Sequence, residues 1–312
     1  MIYRNTIEPL AQPSAIALGL FDGVHLGHQQ VIGQAVDAAK NGLLATVLSF
    51  HTEHAAPMSK RHNATILTES VKRQLLEALG VQAFLQPDFE QIRGISASRF
   101  VEEVLVGTLR AKVIVCGFNY HFGKGARGNA AMLRQIAEPL GVQVVVVPPR
   151  MDHGRPISST RIREALLAGD ILTANRLLGY AYCIDFEVVS GAQLGRTIGF
   201  PTINQQFPSH FLIPRFGVYA SYVDLDCKRY LGVTNIGIKP TVVNRNGPLA
   251  ETHIIDYHGD LYGKNVRVHL MEFLRPERKF LNIDDLTQAI KWNKRQVVEK
   301  YRSLTLDNPS IL

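Results

Sequence analysis

The stretch GLFDGVHLGH, residues 19–28, decides the fold of the first half of the chain. Residues 15–21 lead into it as a short apolar strand. After it, Val31, Ile32, Ala35, Val36 and Ala39 recur at helical spacing until Asn41-Gly42, and LLATVLSF (residues 43–50) reads as a second strand. The whole is a βαβ unit whose first joint is rich in glycine. Glycines there let the backbone approach a ligand, and the open N–H groups of the helix start attract anions. The joint therefore predicts a phosphate site, with Gly19, Phe21, Asp22, His25 and His28 as candidate nucleotide-binding residues. His25 and His28 are three apart, so both can face one site and donate to phosphate oxygens whose charge grows during transfer.

Working outward, the alternation continues. Helices are expected at residues 69–79, 98–106 and 130–140, and strands at 81–85, 112–117 and 142–148. A helical stretch, STRIREALLAGDILTANRLLG, closes this half near Gly179. Strands alternating with helices indicate an α/β, Rossmann-like parallel sheet. Past residue 180 the period changes. Residues 182–189, 217–225, 229–234, 251–257 and 265–272 are short alternating segments between Gly, Pro and Asn clusters, as in a small β-barrel, and one helix is expected at 284–304. The expected boundary divides the chain into 1–180 and 181–312.

Composition limits the function classes. A chain of 312 residues with 46% apolar content is long enough for two cored domains. No run reaches the roughly 18 to 20 apolar residues of a membrane span, and the start lacks the layout of a secretory leader. Cys116, Cys183 and Cys227 show neither CxxC nor zinc-ligand spacing, so a cytoplasmic setting without disulfides is expected. The net charge of +7 comes from scattered bases, which suits phosphate-bearing small substrates as well as nucleic acid.

A second anion motif follows the last strand of the first half. In ISSTRIREAL (residues 157–166), Ser158, Ser159 and Thr160 can cap a helix start while the Arg163 fork reaches a phosphate. HxGH after the first strand with ISSTxxR after the last resembles the nucleotidyltransferase superfamily, in which the two motifs bracket a nucleotide triphosphate. GKGARG (residues 123–128) also spells GxGxxG, but it neither follows a strand directly nor has an acid at the next strand end, so it is not a dinucleotide fingerprint.

In the second half, GRTIGFPTINQ (residues 195–205) places Thr202 and Asn204 on one face of an extended chain, where a hydroxyl and an amide oxygen can hold a hard cation such as Mg²⁺. NIGIKPTV (residues 235–242), Glu251 at a strand start, the GDLYG turn and the LRPE turn complete an arrangement that resembles riboflavin kinase. The resemblance implies that Thr202 and Asn204 hold magnesium and ATP phosphates, and that Glu251 activates the flavin 5′-hydroxyl. It also implies that Gly195, Arg196, Gly199 and Pro201 close over nucleotide, with Arg275 near the flavin.

Together the halves resemble the bacterial bifunctional riboflavin kinase/FMN adenylyltransferase family, also called FAD synthetases, over nearly the whole chain. That likeness implies phosphorylation of riboflavin to FMN by ATP, then adenylylation of FMN to FAD with release of pyrophosphate. It implies catalytic roles for Glu251, His25 and His28, and contact of Asn119 (in GFNYHFG) with nucleotide and flavin. ATP, riboflavin, FMN and FAD are the expected partners, Mg²⁺ the expected cofactor. Nucleic acid and membrane are not expected, and self-association is left open. SFHTEHAAP (residues 49–57) departs from the family's usual TFxPHP, with His51 and His54 displaced. This keeps a second reading, a riboflavin kinase whose first half only binds nucleotide. A third, a flavin-responsive RNA-binding regulator, rests on the +7 charge and the basic final helix.

Overall fold

The computed structural model describes residues 1–50, 64–191, 194–238 and 247–305. His51 and His54 of SFHTEHAAP lie outside the described residues, as do residues 239–242 of NIGIKPTV. By their contacts the residues form two compact units. One comprises Met1–Asn63 with Glu69–Ser159, the other Ala64–Thr68 with Thr160–Leu312.

The first unit is a six-stranded parallel sheet with helices between its strands. In chain order these are β1 (Ile2–Arg4), β2 (Ser14–Leu18), α1 (Leu26–Ala39), β3 (Leu44–Leu48), α2 (Glu69–Ala78), β4 (Ala83–Leu85), β5 (Ala111–Gly117), α3 (Ala130–Ala137) and β6 (Gln143–Val147). The spatial order is β1-β4-β3-β2-β5-β6. Every residue of β2 and β3 is buried, as befits central strands covered on both faces. The edge strand β1 has no sequence signal of its own: three residues are held by pairing with Ala83–Leu85. The helix expected at 98–106 runs as Ala97–Arg99 and continues, π-wound, through Phe100–Thr108.

The stretch expected as one helix before Gly179 is two, α4 (Ser159–Ala168) and α5 (Ile171–Leu178), broken at Gly169-Asp170, where the Asp170 carboxylate accepts the Thr173 N–H at 3.0 Å. The contact division falls at Ser159, earlier than the expected boundary near residue 180. The physical reason lies in α5, whose Asn175 amide donates to Leu270 O and whose Oδ1 accepts the Tyr182 N–H.

The second unit is a closed six-stranded antiparallel barrel. Its strands are β7 (Cys183–Val189), β8 (Ile203–Gln206), β9 (Gly217–Leu225), β10 (Lys228–Ile238), β11 (Pro248–Ile254) and β12 (Asn265–Arg275), in the closed order β7-β8-β11-β10-β9-β12. Sequence periodicity does not single out β8, because only four residues pair there. Alternation along the strands sorts two faces. Tyr219, Thr234, Thr252 and Gln205 are fully buried in the lumen, where Thr234 bonds the Ser221 and Thr252 hydroxyls. The opposite face carries Val218, Ala220 and Val233 against Val297 of the terminal helix α6 (Ile283–Tyr301). That apolar stripe is the one the sequence predicts. Lys294, Arg295 and Lys300 on α6 each lie beside a carboxylate, of Asp256, Glu299 and Glu272.

Candidate active sites

Strand order creates a switch point in the first unit: β2, β3 and β4 run outward one way, and β5 returns to the other side of β2. In open α/β sheets the ligand crevice lies there, past the carboxyl ends of the strands. The Gly19–His28 joint leaves β2 at this point, and Asn119, exposed, follows β5 by two residues. Phe21 and Val24 hold left-handed backbone (φ 50° and 34°), a strained conformation fixed by the burial of both side chains.

His25 is the N-cap of α1. Its Nδ1 accepts the His28 N–H at 3.1 Å, and its ring stacks on that of His28 with centroids 3.5 Å apart. Phe21 meets His28 edge-on at 5.3 Å. Burial pushes the His25 pKa down to about 4, so the ring is neutral at pH 7. With Nδ1 accepting, the proton sits on Nε2, and His25 is left with one N–H to offer a ligand. A Cβ at Gly27 would lie 3.2 Å from the His25 ring, so any side chain there would press on the stacked histidines.

The two anion motifs meet. The Ser159 hydroxyl donates to Asp22 O at 2.8 Å across 137 residues of sequence. Its role therefore differs from the expected helix cap: the hydroxyl fastens the start of α4 to the Gly19–His28 joint. Thr160 and Arg163 follow on the same helix but fall in the second unit, where Arg163 Nε donates to Ala64 O at 3.0 Å. The GKGARG stretch is a small hairpin in which His121-Phe122 pairs with Gly128-Asn129, and Asn129 then caps α3. It is not a strand-to-helix phosphate loop.

In the barrel, register assembles the second site. Asn204 pairs with Glu251, Glu251 with Asn235, Asn235 with Val218, and Val218 with Arg275. Residues directly opposite in an antiparallel ladder share a face. One transverse row across five strands thus carries Asn204, Glu251 and Arg275, on the face that looks toward α6. A cavity of about 270 Å³ lies over this row, lined by Gly195, Thr202, Asn235, Glu251, His253 and Arg275 and by Leu286, Ile290 and Asn293 of α6. A second cavity, about 500 Å³, is lined by Arg196, Pro201, Thr202, Tyr257 and the GDLYG turn. Thr202 belongs to both walls.

The turn that brings Thr202 there is tight. Phe200 N–H donates to Gly195 O at 2.7 Å, Gly199 takes φ 81°, and a side chain at Gly195 would collide with the Phe200 carbonyl. Arg275 Nε donates to Asn293 Oδ1 at 3.1 Å, which directs the guanidinium along the cavity wall toward α6.

Sequence reading overlooked Asn235, whose amide donates to Glu277 at 3.0 Å, and His253. His253 lies two residues beyond Glu251 on the same face, a spacing that could have revealed it. Its Nδ1 bonds Pro201 O at 2.9 Å and its buried Nε2 has no hydrogen-bond partner among the described residues. Burial lowers its pKa, so the ring is neutral.

No cluster of three or more His, Cys, Asp or Glu that could hold a metal occurs among the described residues. The oxygen donors at Thr202, Asn204 and Glu251 instead suit a magnesium ion that keeps water and phosphate in most of its coordination positions.

Comparison with known proteins agrees with this geometry. Residues 7–161 match the FAD synthetase family and residues 178–301 the riboflavin kinase family. The bifunctional riboflavin kinase/FMN adenylyltransferase of Bacillus subtilis (strain 168) is 33% identical over 309 residues, covering 96% of this chain and 96% of that one. The chain belongs to this family. Its namesake in Escherichia coli (strain K12) is 33% identical over 291 residues, 92% of each chain. Both modules of a bifunctional riboflavin kinase/FMN adenylyltransferase are present, and the α/β-plus-barrel fold expected from sequence is the one observed. A crystal structure described as a macrolide-efflux protein from Streptococcus pneumoniae also shares the fold, with TM-score 0.84, 30% identity, and coverage of 95% of this chain and 98% of that one. That description and the family name differ. The family assignment stands on the two modules, which match it separately. No helix among the described residues is long and apolar enough to cross a membrane.

Proposed function

We propose that this chain makes FAD from riboflavin in two ATP-dependent steps, one in each module, in the cytoplasm. The observation that carries the reading is the barrel row in which Asn204, Glu251 and Arg275 share one face, with Thr202 walling both cavities. Two cavities meeting at one hydroxyl suit transfer between two bound substrates, ATP in the larger and riboflavin against α6. The flavin 5′-oxygen attacks the γ-phosphorus of ATP, Glu251 accepts the hydroxyl proton, and ADP leaves. Thr202 and Asn204 would hold Mg²⁺, which when bound spreads the charge of the phosphates.

In the first module an FMN phosphate oxygen attacks the α-phosphorus of ATP, and pyrophosphate leaves. No side-chain nucleophile is needed. Neutral His25, stacked on His28, offers Nε2–H to phosphate oxygens, and the Ser159–Asp22 bond keeps the two motifs together while charge shifts. Asn119 at the switch point completes the proposed set, toward the flavin.

The test is to incubate purified protein with MgATP and riboflavin, then separately with MgATP and FMN, and separate the products by chromatography. FMN and FAD are expected from the first mixture and FAD from the second. Absence of FMN from the first removes the kinase assignment. Absence of FAD from the second leaves a kinase with a nucleotide-binding module.

A further inference from the structure

Lys72 lies on α2, and no anion motif includes it. Its side chain is nevertheless only 8% exposed. Its Nζ donates to Leu20 O at 2.7 Å and to Ser49 Oγ at 2.9 Å, and the Ser49 hydroxyl donates to the same Leu20 carbonyl at 2.8 Å. Leu20 is the second residue of the Gly19–His28 joint, and Ser49 follows β3 directly, at the neighbouring strand end of the same sheet. The ammonium therefore sits under the carboxyl ends of two adjacent strands. The groups that face it are the Asp22 and Glu69 carboxylates, the Leu20 carbonyl, the Ser49 hydroxyl and the Phe84 ring, whose centroid is 5.3 Å away.

A buried ammonium is costly, and two neutral hydrogen bonds need no charge to form. A methionine or leucine would fill the same space between strands. What lysine supplies and those residues do not is a positive charge opposite the Asp22 and Glu69 carboxylates, at the base of a backbone joint suited to phosphate. We propose that Lys72 is a positioning residue for adenylyl transfer, fixing the Leu20 carbonyl and offsetting the Asp22 and Glu69 carboxylates, whose charge would otherwise repel ATP phosphates at the Gly19–His28 joint. The inference rests on the adenylyl-transfer reading of the first module and adds to it a residue that acts through the joint without touching the substrate. Burial also lowers the Lys72 pKa to about 8, so this offset should weaken on mild alkalinisation.

The experiment uses the full chain and both reactions. Lys72→Met should lower kcat/KM for ATP in FAD formation from FMN by about 10- to 100-fold at pH 7, the effect of one unit charge roughly 6 to 12 Å from the phosphates at an effective dielectric of about 20. Riboflavin phosphorylation in the other module should stay within twofold and serves as the folding control. The decisive readout is pH. Between pH 7 and 9.5 the wild-type kcat/KM for adenylylation should fall toward that of Lys72→Met, narrowing their ratio at least fivefold, while the kinase rate shows no such convergence.

Three outcomes overturn the proposal: a variant with wild-type adenylylation, a ratio that is constant with pH (the mark of a structural clip only), or, if the variant loses both activities, a wild-type adenylylation-to-kinase ratio that is flat from pH 7 to 9.5. Failure of the wild type to make FAD from FMN would instead refute the adenylyl-transfer reading itself.

Discussion

Replacing Glu251 with Gln isolates the chemistry of the barrel site. Glutamine has nearly the volume of glutamate, and the backbone pairs of residue 251 with Asn204 and Asn235 do not involve its side chain, so the strand register survives. What disappears is the carboxylate proposed as proton acceptor, on the row between Asn204 and Asn235. General-base contributions run to about 10²–10⁴ in rate, or roughly 3 to 5 kcal/mol of barrel-site transition-state stabilisation. Riboflavin phosphorylation should fall by that factor. FAD formation from added FMN should stay within about twofold, because His25, His28 and Ser159 belong to the other compact unit. The assay is product chromatography under saturating MgATP, started once with riboflavin and once with FMN, with the unfolding midpoint measured alongside. A kinase rate within tenfold of wild type would refute the base assignment. An equal loss in both reactions, in a variant as stable as wild type, would refute the separation of the two sites.

Three further outcomes are expected. Ser159→Ala removes the bond to Asp22 O, a loss of about 1–2 kcal/mol that should slow FAD formation from FMN roughly 5- to 30-fold with the kinase unaffected; an unchanged rate rejects the tie between the motifs. His253→Leu frees the Pro201 carbonyl beside Thr202, and riboflavin phosphorylation should drop roughly tenfold with altered KM for ATP or flavin; wild-type steady-state constants would dismiss a role for this histidine. Stability should decline on acidification. His25 and His269 have folded pKa values lowered by burial to about 4, against 6.5 unfolded, so between pH 6.5 and 4 the unfolded chain binds protons that the folded one does not. Each contributes a loss of up to about 1.4 kcal/mol per pH unit across that window, to be followed by urea denaturation at pH 7, 5.5 and 4.5. A midpoint that does not move contradicts the burial argument.

Much of this molecule could be read before any coordinates, because local physics carried the signal. Period 3.6 against period 2 separated the α/β half from the barrel half, and glycine-rich joints next to strand ends marked GLFDGVHLGH and GRTIGFPTINQ as places where backbone meets phosphate. The edge strand β1, three residues held by pairing alone, carried no such signal. The break at Gly169-Asp170 was also missed, since the apolar spacing on either side of it continues the same pattern.

Residue types and spacing by themselves singled out the candidate groups: histidines and an ISST segment in one half, a threonine, an asparagine and a glutamate in the other. Only tertiary structure decided which of their atoms are available for chemistry. Register placed Asn204, Glu251 and Arg275 on one row, added Asn235 and His253, and turned the Ser159 hydroxyl from a helix cap into a strut. It also buried Lys72 beneath the first joint and stripped the charge from His25. The reason is physical. Local sequence sets backbone conformation within a few residues, whereas hydrogen-bond partners, desolvation and shared faces arise between segments that chain order does not bring together.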